Sequence, residues 1–86
     1  MPKRPIVSGQ KIIKLLVHLG YTYKSRKGSH LIFSINNPIN GYGNVSVPLH
    51  KELDDGLRDA IIEAVSMHTG ISEIILVELL RKRRIK

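Results

Sequence analysis

Four histidines, at positions 18, 30, 50 and 68, are the side chains of this 86-residue chain best suited to moving a proton near neutral pH. His30 stands apart by its neighbours. It follows Gly28-Ser29, and Lys24, Arg26 and Lys27 precede it within six residues. An imidazole beside phosphate-binding cations can serve as general base or general acid on a ribose 2′-hydroxyl and its adjacent phosphate, which is RNA cleavage without a metal. The plainer reading is a surface histidine at the start of a strand. His50 follows Pro48-Leu49 and is a second acid–base candidate, a phosphate contact or a packed loop residue. His68 falls on one helical face with Leu57, Ile61 and Ala64 and reads as a last-turn residue favoured by the helix dipole. His18 flanks the apolar stripe of the first helix and reads as surface.

The sequence offers little for a metal. The histidines are separated by 12, 20 and 18 residues, so no His-x-x-x-His pair shares a helix face. Asp55 and Asp59 lie one turn apart with a spacing that magnesium accepts, but carboxylates in a first helical turn ordinarily serve the cap and the dipole. The structural role is preferred. There is no cysteine, which removes a disulfide framework, a thiolate zinc site and a cysteine nucleophile, and fits a cytoplasmic chain. Gly41-Tyr42-Gly43 precedes no helix, so it reads as turn chemistry and not as a nucleotide cradle. Neither metal nor cofactor is expected.

The net charge of +7 hides a segregation. Residues 1–51 carry eight basic side chains and no acid; residues 52–80 carry all seven acids and only Arg58; residues 81–86 add five basic groups. Solvation alone ordinarily intersperses the signs, so an acid-free stretch of 51 residues points to a surface that meets phosphate. Hydrophobic residues at 42% and charged residues at 24% exclude a disordered chain. The longest apolar run, Ile74–Val77, is far too short to span a membrane, and Lys3-Arg4 is followed by no signal-peptide core.

The elements that must position these residues follow from periodicity. Ser8 caps a helix over Gln10–Leu19 with Ile12, Leu15, Leu16 and Leu19 inward, ended by Gly20. Tyr21–Arg26 alternates as a strand, with Tyr21 and Tyr23 on one face and Thr22, Lys24 and Arg26 on the other. His30–Ile35 alternates again, with Leu31, Phe33 and Ile35 inward. Asn36–Asn44 is rich in Asn and Gly and reads as a long hairpin loop, and Val45-Ser46-Val47 is a short third strand closed by Pro48. A second helix runs from Asp54 or Asp55 to about Thr69, with Leu57, Ala60, Ile61, Ala64 and Val65 clustered. A third, capped by Ser72, runs from Glu73 to about Arg83. The result is a single α+β domain over residues 1–86, with an arm at 1–7 and a basic tail at 84–86. Helices cover one face of a three-stranded antiparallel sheet, and the other face stays wet with Lys24, Arg26 and His30. The third helix is apolar nearly all round: Ile75, Leu76, Leu79 and Leu80 form its main face, and Ile74 and Val77 lie off it. It is therefore buried in the core or partnered, as a homo-oligomer or protein contact through 73–83.

Gly20-Tyr21, then Arg26-Lys27-Gly28-Ser29-His30-Leu31-Ile32-Phe33, then Val45-Ser46-Val47-Pro48-Leu49-His50, then Glu52-Leu53 and Gly56-Leu57, resemble HicA-type toxins over roughly residues 8–72. The Gly-Ser-His and Val-Pro-x-His blocks in that order carry most of the likeness. The resemblance implies a double-stranded-RNA-binding-like α-β-β-β-α fold, here with an additional C-terminal helix. It implies mRNA interferase activity with His30 catalytic, and a HicB-type antitoxin that binds and inhibits the toxin; the apolar pattern of helix 73–83, outside the resemblance, makes that helix a candidate surface for the antitoxin. Three features depart from the family pattern. Helix two begins Gly56-Leu57 without the usual threonine between them. The Asn36–Asn44 segment is longer than the usual short turn, and helix two continues through Ser66-Met67-His68-Thr69.

The function expected on these grounds is a metal-independent endoribonuclease acting on mRNA, the toxin of a toxin–antitoxin pair. His30 is the general base or acid. Lys24, Arg26 and Lys27 hold phosphate, Gly28 and Ser29 offer backbone N–H groups, and His50 adds a contact. The alternative is a non-catalytic RNA-binding module of the same fold, in which His30 is only a contact; a third class is a pure interaction domain using helix three.

Overall fold

The computed structural model describes residues 6–37, 39 and 41–81. In chain order it contains α1 (Gly9–His18), β1 (Thr22–Lys27), β2 (His30–Asn37), β3 (Gly41–Pro48), α2 (Asp55–Thr69) and α3 (Glu73–Arg81). The sheet is antiparallel in the order β1-β2-β3, and α1 and α2 pack against β3 and β2 on one face. This is the α+β, double-stranded-RNA-binding-like arrangement with one helix added at its C-terminal end. No single helix among the described residues is long and apolar enough to cross a membrane.

Local chemistry sets the helix ends. The Ser8 hydroxyl accepts from the Lys11 N–H at 3.1 Å and caps α1. Asp54, the first of the two candidate caps, accepts from the Leu57 N–H at 3.3 Å. Gly70 ends α2 at φ 76°, where its N–H reaches the Ser66 carbonyl at 2.9 Å. Ser72 accepts from the Ile75 N–H at the start of α3. The tail expected at 84–86, the first five residues of the expected arm, and the end expected for helix three near residue 83 lie outside the described residues. Val7, also expected in the arm, is instead buried, and its carbonyl accepts from the Leu53 N–H at 2.8 Å.

Two elements differ from expectation. The long loop at Asn36–Asn44 is mostly strand: Ile35 pairs with Gly43, Asn36 with Tyr42 and Asn37 with Gly41, so only residues 38–40 lie between β2 and β3. Asn and Gly disfavour strands in isolation, but a hairpin already in register pairs their backbone groups whatever the side chain. The second difference is in β1. The β1–β2 register shifts between Tyr23 and Ser25, a bulge at Lys24. Tyr23 opposes Phe33, yet beyond the bulge Ser25 opposes Ile32, Arg26 opposes Leu31 and Lys27 opposes His30. Facing residues share a side of the sheet, so Arg26 belongs to the helix side and not, as alternation implied, to the wet side with Lys24 and His30. Tyr23 faces the helix side as expected, its ring edge-on to Phe33 at 5.9 Å, but it remains exposed because β1 is an edge strand beyond the cover of the helices.

One core gathers Ile12, Leu15 and Leu16 of α1, Phe33, Val45 and Val47 of the sheet, and Ile61, Ile62 and Val65 of α2. Ala60, expected on the inner face of α2, is exposed, and the neighbouring Ile62 takes the inward place. The third helix is half of each expectation. Leu76 and Leu80 are buried in the same core and Val77 and Leu79 pack against it, whereas Ile74 and Ile75 are exposed at 77% and 53%. Ile75 thus lies off the packed face. Leu76→Ala is expected to lower unfolding stability by about 2–5 kcal/mol, the cost of a cavity at a fully buried site. Ile74→Ala should change it by less than about 0.5 kcal/mol; urea titration followed by circular dichroism compares the two.

Candidate nucleic-acid interface

The start of α1 meets the end of β3. Gly9 donates its N–H to the His50 carbonyl at 2.9 Å, and a Cβ at Gly9 would collide with the carbonyl oxygen of Pro48. Close backbone approach, not backbone conformation, is what requires glycine here. On the other side of the same segment, the Leu49 N–H donates to the Ser29 carbonyl at 2.9 Å, and His30 pairs with Pro48 in the ladder. The Gly28-Ser29-His30 turn and the Pro48-Leu49-His50 segment, twenty residues apart in the chain, are thereby brought side by side. His50 and Lys51 are exposed and line an open pocket with Ser8, Gln10 and Leu49. His30 lies outside that pocket, on the sheet face.

That face, turned away from the helices, holds three of the expected site residues, Lys24, Lys27 and His30. His30 and Lys27 face each other across β1 and β2, both exposed, at one end of the sheet. Ile32 and Ser46 follow, then Ser34 and Asn44. Lys24, at the bulge, reaches over the same face and donates from Nζ to the Tyr42 hydroxyl at 2.9 Å, its ammonium 5.3 Å from the ring centroid. Ser34 and Asn44 lie beside the Tyr42 hydroxyl, and the Lys24 bond above all holds this phenol below its ordinary value of 10.0. No acidic residue precedes Glu52, so this face carries none. Arg26 is not part of it. Its Nε donates to the Gly28 carbonyl at 2.7 Å, which clasps the β1–β2 turn from the helix side.

The remaining candidates resolve into structure. His68 is half-buried: its imidazole lies against Gly43, where any Cβ would meet the ring, and Nδ1 is 2.9 Å from the Tyr21 hydroxyl. Burial pushes the Tyr21 phenol up to about 12. His18 is exposed in the last turn of α1. Asp55 and Asp59 pair with Arg58, at 3.1 and 3.0 Å, and Arg58 is the one buried charged side chain among the described residues, at 6% exposure. Among the described residues no three His, Asp or Glu side chains gather in a way that could hold a metal ion. Two members of the wet face escape a simple reading of the sequence. Ser25 arrives there through the bulge, and Tyr42 through the lengthened hairpin. Only Tyr42 left a signal, because the parity of Val47 and Val45 continues inward to Gly43 and so turns Tyr42 outward.

A family model described as HicA toxin of bacterial toxin-antitoxin matches residues 9–67, from the first residue of α1 to near the end of α2. Comparison with curated proteins and with solved structures returns no significant match.

Two substitutions test this arrangement. Gly→Ala in a helix ordinarily gains up to about 1 kcal/mol, but at Gly9 the collision with Pro48 should outweigh it and leave a net loss of roughly 1–3 kcal/mol in urea titration. Tyr21→Phe removes the bond to His68, at a cost of about 1 kcal/mol near neutral pH. Because the folded phenol titrates above the unfolded one, the native state keeps a proton that the unfolded chain loses as pH rises past 10.0. Wild-type stability should therefore fall between pH 10.0 and about 12 more steeply than that of Tyr21→Phe, read from thermal melts across that range.

Proposed function

The chain belongs to the HicA family of toxins from bacterial toxin–antitoxin systems, and from that membership we propose that it is an endoribonuclease that cleaves mRNA, with His30 moving a proton at the scissile phosphate. The observation that carries the reading is the position of His30: exposed, directly opposite Lys27, on a sheet face without a carboxylate. The ribose 2′-oxygen attacks the adjacent phosphorus, the O2′–P bond forms and the P–O5′ bond breaks. One proton leaves the 2′-hydroxyl and one arrives at the 5′-oxygen, giving a cyclic phosphate and a free 5′-hydroxyl. His30 handles one of these two transfers as general base or general acid, and no metal is required for it.

Lys24 and Lys27 hold phosphate along the face, and the Gly28-Ser29 turn offers backbone N–H groups beside it. Arg26 contributes from the edge of the sheet, since the bulge turns it to the helix side. His50 is the second candidate for the other proton or for a phosphate contact, supported by the Leu49–Ser29 hydrogen bond that draws its segment to the turn. A HicB-type antitoxin binds and inhibits the toxin in this reading.

Purified wild type should generate new ends in total RNA on a denaturing gel, and should do so in EDTA. His30→Ala should cut roughly 10²–10⁴-fold more slowly while retaining RNA affinity within a few-fold. Cleavage abolished by chelation removes the metal-free mechanism. Normal cutting by His30→Ala removes the assignment of His30, and salt-sensitive binding with no new ends leaves a non-catalytic RNA-binding module.

A further inference from the structure

The end of the sheet face opposite His30 carries an aromatic ring that the cleavage reaction leaves without a role. Tyr42 is 58% exposed at the tip of the extended hairpin, paired with Asn36. Its hydroxyl is held by Lys24 of β1 at 2.9 Å, with Ser34 of β2 and Asn44 of β3 beside it. A side chain rooted on β3 and tied to β1 must lie across the sheet, so the ring is fixed in direction and still presents surface to solvent. Such a ring is wasteful as core and poorly placed for proton transfer, since six residues of strand, about 20 Å, separate Asn36 from His30. Between them lie short polar side chains and Ile32, with Lys24 and Lys27 along β1.

We propose that this face is a track for single-stranded RNA, with an unpaired base stacked on Tyr42 while the backbone crosses Lys24 and Lys27 to reach His30. The inference rests on the reading of RNA as the ligand and adds to it the strandedness of the substrate and a residue that sets where the strand is gripped. A duplex keeps its bases stacked on each other and offers no free π-face, whereas an unpaired base gains stacking on an aromatic ring. The tether on the hydroxyl fixes the ring before binding, which lowers the ordering cost when the base arrives. An anionic strand also meets no acidic side chain on its way.

The test is fluorescence anisotropy with a labelled RNA decamer, single-stranded or annealed to its complement, in the His30→Ala background so that the strand stays intact. Adding Tyr42→Ala should weaken single-strand binding by roughly 5- to 150-fold, the worth of one stacked base, and change duplex binding by less than about twofold. Tyr42→Phe, which keeps the ring, should stay within a few-fold of the parent. Should Tyr42→Ala fail to fold by circular dichroism, Tyr42→Leu replaces it with similar area and no π-face. Equal losses on both RNAs, no loss on either, or a Phe variant as weak as the Ala variant would each overturn the proposal. If wild type cuts no RNA but these affinities hold, the nuclease reading falls and the track stands. If wild type cuts RNA and the Tyr42 variants bind as the parent does, the track alone falls.

Discussion

The backbone ladder between β2 and β3 is the constraint on which the other arrangements depend. It runs unbroken through eight facing pairs, from His30 opposite Pro48 to Asn37 opposite Gly41. Its inward pairs, Leu31 with Val47 and Phe33 with Val45, form the floor on which α1 and α2 rest. Its outward residues set the spacing of everything that can touch a ligand. The ladder also fixes where Pro48 ends, and hence where the start of α1 can approach, because Gly9 closes against that carbonyl. A slip of one residue would turn the inward pairs to water and the histidine to the core, so register and function stand or fall together.

Charge follows the same division. The acids lie in the segment that forms α2, α3 and their approaches, and the acid-free segment forms α1 and the sheet. Arg58 is the exception within the acidic block. It is buried against Asp55 and Asp59, so these carboxylates are engaged locally and do not set up a field across the sheet. The segregation read along the chain therefore leaves the open sheet face without an acid, while the helix side sets the acid-free α1 beside the acidic α2 and α3.

Much of this was legible in the amino-acid order, and the parts that were not share a physical origin. Helical stripes such as Ile12, Leu15 and Leu16, and the caps Ser8, Asp54 and Gly70, announce themselves because each depends on neighbours a few residues away. The wet placement of Lys24 and His30 followed from simple alternation. Arg26 defeated that rule, because one extra residue in a strand leaves no mark in composition yet inverts the parity beyond it. The hairpin extension was hidden by residues that favour turns but are held by pairing to a partner strand. Arg58 was unreadable as a buried side chain because its partners, not its type, make burial tolerable. The family likeness rested on the two histidine blocks, and the ladder and the Leu49–Ser29 bond bring those blocks together.

The contact between His68 and Gly43 links two segments that the sequence presents as separate. One is the β2–β3 hairpin, which supplies Gly43 and Tyr42; the other is the end of the second helix, which supplies His68 just beyond the matched span ending at residue 67. The imidazole lies behind the far ladder rungs and is anchored there by Tyr21. The far rungs of the hairpin and the last turn of α2 therefore brace each other through one ring, although some twenty-five residues of chain separate them.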